Sequence, residues 1–137
     1  MATKKVWVLS LPKKTLTEKE KQVLEKLFEP LISEYKFTFI EAEPDKKYNY
    51  VIDFYSKFYR GFFYLCAKYI AEYKNRIVDE FETKFARVEF VDENKYNLAY
   101  YWHTGQWWTS DKNATAEYCL KNIKDNPYFF RNNFKTY

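Results

Sequence analysis

At 137 residues the chain is near the commonest size for one folded unit and is read as a single domain, residues 1–137. A hydrophobic share of 47% excludes global disorder, and an aromatic share of 23% means that much of the core is built from rings. The net charge of +4 gathers at the two ends: residues 1–36 carry +3 and 114–137 carry +2, while 37–80 balance and 81–113 carry −1. A nucleic-acid channel places its cations beside its stacking rings, and along this chain the two are apart.

The basic N-terminus precedes an apolar run, Val6 to Leu11, too short for a signal peptide and closed by Pro12 and two lysines. No run approaches the roughly 18 apolar residues of a membrane-crossing helix, so no membrane partner is expected and the cytoplasm is the expected location. Val6 to Leu9 reads as a strand. Thr17 then opens a helix, with Glu20 completing a capping box three residues on. Val23, Leu24, Leu27, Phe28 and Leu31 follow at helical spacing, and Pro30 predicts a kink or a stop near Glu29.

Phe37 to Ala42 has the composition of a short strand and Glu43 to Lys47 that of a turn. Tyr50 to Tyr59 is rich in β-prone residues, with Arg60-Gly61 as the reversal point. From Phe62 a strand is expected to about Cys66, followed by a helix to about Glu82. Tyr69, Ile70, Tyr73, Ile77 and Phe81 recur there at helical spacing, and Lys68, Glu72, Arg76 and Glu80 form an i, i+4 ladder of alternating charge. Phe85 to Val91, Tyr96 to His103 and Trp107 to Thr109 read as a meander of strands. Asn113 or Thr115 caps a closing helix that runs to about Lys124, after which Tyr128-Phe129-Phe130 docks on the body. The expected fold is α+β, an antiparallel sheet with two or three helices packed mainly on one face. Leu24, Leu27, Phe28, Phe85, Val88, Leu98, Leu120 and Ile123 are its expected core, and Cys66 and Cys119 two separate buried thiols.

Residues 85–130 resemble a small bacterial family known as a domain of unknown function. An apolar-Ala-basic-apolar-x-aromatic strand is matched by Phe85-Ala86-Arg87-Val88-Glu89-Phe90, and a second strand by Tyr96-Asn97-Leu98 with Tyr100. Trp108 follows at the family's spacing. The closing helix matches through Leu120, Ile123, Asp125, Pro127 and Phe130. Tyr96 stands where the family usually has Trp. The resemblance implies an aromatic hairpin and a C-terminal helix, and it carries no known activity.

Catalytic signals are sparse. Gly61 and Gly105 are the only glycines, both at turns, so glycine-rich phosphate loops are absent. The sole histidine, His103, has no nucleophile motif to serve, and one His with two scattered Cys does not make a zinc site. Asp53 after an apolar pair, with Glu82-Thr83-Lys84, has the form of a magnesium-nuclease site and is the leading enzyme alternative. No catalytic residue, cofactor or metal is otherwise expected. The most distinctive candidate is the hairpin with Tyr100, Tyr101, Trp102, Trp107 and Trp108. Successive strand residues point to opposite sides, so rings lie on both faces of this ribbon.

A protein-binding or inhibitory module, using Tyr101, His103, Trp107 and Trp108, is therefore the first expectation, with Trp102 buried and Trp107 or Trp108 partly exposed. The alternative is a single-stranded nucleic-acid binder that uses Lys4, Lys5, Lys13, Lys14, Lys121, Lys124 and Arg131. The Lys, Asn, Tyr, Phe and Ile bias is what an AT-rich bacterial or phage genome encodes.

Overall fold

A computed structural model describes residues 15–71, 79–102, 104–126 and 129. The expected strand at Val6–Leu9 lies outside these residues, as do Lys4, Lys5, Lys13, Lys14, His103, Arg131 and most of the aromatic tail. Helix α1 spans Glu18–Phe39. Its capping box forms as the sequence predicts: Thr17 Oγ1 accepts from the Glu20 amide at 3.2 Å, and Glu20 Oε1 accepts from the Thr17 amide at 3.1 Å.

Of the kink or stop expected near Glu29, the stop does not occur, and the helix runs on through Pro30. Leu24 and Phe28 before the proline and Leu31 and Tyr35 after it form one buried stripe. Burying such side chains contributes about 1.5–3 kcal/mol each. That outweighs the roughly 3 kcal/mol cost of an interior proline, and Pro30 itself faces solvent. The strand expected at Phe37–Ala42 is also overturned. The helix continues because Phe39 packs on Tyr35 (ring centroids 5.8 Å apart) and on Phe54 (6.1 Å), while Phe37 stays 90% exposed.

Five strands follow: β1 (Tyr50–Tyr59), β2 (Phe62–Ala71), β3 (Asp79–Asp92), β4 (Lys95–Tyr101) and β5 (Trp107–Ala114). They pair antiparallel in chain order, and helix α2 (Ala116–Asp125) closes the series, so the fold is α+β. The β1–β2 hairpin turns on Arg60 and Gly61, with φ of 50° and 81°. Positive φ at both central positions marks the primed turn whose twist suits paired strands.

The helix expected from Cys66 to Glu82 is not found among the described residues. Residues 66–71 continue β2 and residues 79–82 begin β3. β2 lies between two partner strands, and Phe63 to Ala67 are buried on both faces. A run apolar on both sides has no two-residue alternation to read. Lys68 and Glu80, two rungs of the supposed helical ladder, stand on separate strands, and Lys68 is in register with Glu82 instead.

β5 is longer than its expected three residues. Its polar half, Thr109 to Asn113, runs along β4, where Ser110 Oγ donates to the Leu98 carbonyl at 3.3 Å. Thr115, not Asn113, caps α2, accepting from the Tyr118 amide at 3.1 Å.

An extra residue in β3, Phe85, interrupts the register between Leu65 and Cys66. Such a bulge re-aims a side chain, and Phe85 meets Tyr35 at 5.7 Å and Phe54 at 6.3 Å. With Phe28 against Phe63 at 5.2 Å, these contacts seat α1 on the face carrying Phe54, Phe63, Phe85 and Val88. α2 touches α1, β4 and β5. Six of the eight expected core residues are buried, and Leu27 and Leu120 are partly buried at its border. Cys66 and Cys119 are both buried and free.

Candidate functional site: the second face of the sheet

Residues opposite one another in the registers share a face, and the registers define a second set on the side away from Phe54 and Phe63. Tyr59, Phe62, Glu89 and Asn97 form one row, and Lys57, Tyr64, Arg87 and Ala99 the next. Tyr55, Cys66 and Lys84 follow, then Asp53, Lys68 and Glu82. Tyr101 and Trp107 join from the far hairpin. Most of these side chains are only partly buried.

Arg87 is the hub. Its guanidinium stands 4.6 Å from the Phe62 ring centroid and 4.9 Å from that of Trp107. Opposite Arg87, β4 offers only the small side chain of Ala99. The Trp107 indole reaches across the sheet to Tyr64 at 5.9 Å and meets Tyr101 edge-on at 5.2 Å. Other cations stand over neighbouring rings: Lys84 over Tyr64 at 5.5 Å, Lys68 over Tyr55 at 5.8 Å and Arg60 over Tyr59 at 5.1 Å. Each such pair contributes about 0.5–1 kcal/mol at an exposed site.

Beside this array Glu82 accepts from three donors, Lys57 Nζ at 2.8 Å, Lys84 Nζ at 3.2 Å and the Tyr55 hydroxyl. Partial burial pushes its carboxyl upward, but hydrogen bonds from Lys57, Tyr55 and Lys84 outweigh that and hold it at about 2. The Lys57 ammonium is raised by its bond to Glu82, and the Tyr55 phenol by burial and the same carboxylate. Burial pushes the Cys66 and Cys119 thiols up to about 12, far from the thiolate a nucleophile needs.

A family model described as Domain of unknown function (DUF3024) matches residues 16–131. The chain belongs to that family. The match takes in both helices and all five strands described above, so the likeness over residues 85–130 is the C-terminal part of a longer one. No curated protein and no solved structure matches the chain.

Within this DUF3024 fold the expected site residues divide. Tyr101 and Trp107 stand together on the second face, while Trp108 pairs with Tyr100 on the other side and is 50% exposed. Tyr100 meets Trp102 at 6.0 Å and Phe129 at 5.7 Å, and Trp102, expected to be buried, is partly buried. Of the expected nucleic-acid cations, Lys121 and Lys124 lie exposed on α2, with Lys124 3.9 Å from Glu34.

Asp53 and Glu82 share a face, but Lys68 stands between them in the register. Asp53 Oδ1 lies 3.5 Å from Lys36 and accepts from the Phe54 amide at 2.9 Å. Among the described residues no three His, Cys, Asp or Glu gather where they could hold a metal ion.

The sequence does not mark Phe62 and Tyr64 for binding, and Lys84 and Arg87 enter it only through the Glu82-Thr83-Lys84 triplet and the strand that carries the family resemblance. The signal for them was the two-residue step of Tyr55, Lys57 and Tyr59 and of Phe62 and Tyr64. The helical spacing downstream of Cys66 masked it.

Proposed function

We propose that this DUF3024 chain is a non-catalytic protein-binding module that receives its partner on the second face of the sheet, around Arg87 and Trp107. The observation that carries this reading is the partly buried Arg87 guanidinium set against the rings of Phe62 and Trp107. Trp, Tyr and Arg are the residues that most often anchor protein interfaces, and rings with few rotatable bonds lose little entropy on binding.

Two features favour a protein over a single-stranded nucleic acid. The protein's own cations already stand over the rings of Tyr55, Tyr59, Phe62, Tyr64 and Trp107, where a base would stack. In the registers and the turn beside them, the five cations Lys57, Arg60, Lys68, Lys84 and Arg87 stand with the four acids Asp53, Glu80, Glu82 and Glu89, an excess of one that offers little to counterion release.

The test starts from a partner retained by the immobilised chain in nuclease-treated lysate. Its affinity is then compared among wild type, Arg87→Ala, Trp107→Ala and Trp108→Ala. The expected loss is about 2 kcal/mol or more for the first two, at little cost in melting temperature, and near zero for Trp108→Ala on the opposite side. Equal affinity in all four chains removes the proposed face. Retention that vanishes with nuclease, or affinity that falls steeply with salt, returns the reading to nucleic acid.

A further inference from the structure

A concavity of about 480 Å³ lies at the hairpin end of the sheet, sharing Tyr59, Phe62 and Glu89 with the first row of the second face. Leu16 leads into it from the start of α1, Phe58 and Phe62 from the two arms of the β1–β2 hairpin, and Phe90 from the end of β3; Lys21 and Arg60 complete its walls. Its size falls in the range of about 300–1,000 Å³ typical of small-molecule sites. The chemistry of the walls is amphipathic: apolar carbon with two cations. Lys21 stands 5.7 Å from the Phe58 ring and makes a 3.4 Å surface contact with Glu18. Arg60 stacks on Tyr59 and forms no ion pair among the described residues. The acid in the lining, Glu89, is engaged by Asn97 Nδ2 at 3.1 Å.

Arg60 is also an unexpected residue for its position. The first central place of a primed turn needs φ above zero and is ordinarily filled by Asn, Asp or Gly, yet here a long cationic side chain is held at φ 50°. A residue kept in a sparsely populated conformation directs attention to its side chain, and this one belongs to a cavity wall.

We infer that this cleft is a binding site for a small organic monocarboxylate with an aromatic or branched apolar body. The body fills the space between Leu16, Phe58 and Phe90, and the carboxylate meets the planar donor fork of Arg60, with Lys21 as the second cation. A guanidinium presents paired donors at the spacing of two carboxylate oxygens. The inference does not rest on the partner-binding reading: Tyr59 and Phe62 border both sites, but Arg87 and Trp107 are not part of this lining.

The experiment titrates the full chain with 3-phenylpropionate and, separately, with 3-phenylpropanol, following amide shifts by NMR. Saturable binding of the acid with a dissociation constant of about 1 mM or tighter is expected, with shifts centred on Leu16, Lys21 and residues 58–62. The alcohol should bind at least about tenfold more weakly, since it lacks the charge-assisted hydrogen bonds. Arg60→Asn, which retains a residue at ease with positive φ, and Lys21→Gln should each weaken the acid several-fold, while Trp108→Ala, at an exposed position outside the lining, leaves it unchanged. Equal binding of acid and alcohol, unaltered affinity in folded Arg60→Asn, or no saturation overturns the site. Binding of a phenylalanine-terminated peptide acid without binding of phenylpropionate overturns its assignment to a small molecule.

Discussion

Glu82 shows how far neighbours can set the behaviour of one side chain. Three donors hold its carboxylate, so its folded-state value of about 2 lies below the ordinary carboxylate value of 4.5. A depressed acid contributes stability that is fully present above the unfolded value and lost as pH falls through the folded one. The gap in stability between wild type and Glu82→Gln should therefore be constant above about pH 5 and close between there and pH 2. A plateau of about 1–2 kcal/mol is expected, below the full linkage value, because a quarter of the side chain meets solvent. Urea titrations at stepped pH measure it, and a gap that does not change with pH would show that the two lysines and Tyr55 do not act on the charge.

At the scale of elements, α1 sets a local rule against a tertiary one. Pro30 lies in a helix whose buried stripe runs past it on both sides. Pro30→Ala, on the solvent side, should stabilise the protein by about 1–2 kcal/mol: it recovers most of the interior-proline penalty, less the entropy the proline removed from the unfolded chain. A rise in the urea midpoint checks this, and a fall would mean that the proline fits an altered path of the helix.

The elements legible in the sequence were those fixed within a few residues. The Thr17–Glu20 box and the Arg60-Gly61 turn are of this kind, as is the strand over Phe85–Val91, and the cap on α2 was narrowed to Asn113 or Thr115. What could not be read locally was decided by distant contacts. Phe39 is helical because Phe54 lies beneath it, and residues 67–71 are a strand because β1 and β3 flank them. The polar half of β5 gave no apolar period at all.

For the molecule as a whole, the charge pattern changes meaning on folding. Along the chain, residues 37–80 balance and 81–113 carry −1, which had placed cations and rings in different regions. A sheet sorts side chains by alternate position and gathers rows from several strands. Lys68, Lys84 and Arg87 thereby come to stand over Tyr55, Tyr64, Phe62 and Trp107, which no window sliding along the sequence brings together. Part of the candidate face was legible for the same reason in reverse. Tyr101 and Trp107 face one way as alternation requires, but the strands that supply Arg87, Tyr64 and Phe62 to the same surface are separated from the hairpin in sequence.

The two buried thiols make the protein a gauge of its own breathing. Cys66 sits on β2, flanked by β1 and β3, and Cys119 sits on the closing helix, each shielded from solvent and far from ionised at neutral pH. A thiol reagent can reach either one only when the structure around it opens, so the rate of modification counts openings. Cys119 should be modified first, through release of the ten-residue helix α2. Cys66 should wait for separation of the sheet, and its rate should rise with urea as steeply as global unfolding does. Single-cysteine variants followed by mass spectrometry would resolve the two clocks, and equal rates at both sulfurs would show that helix and sheet come apart as one.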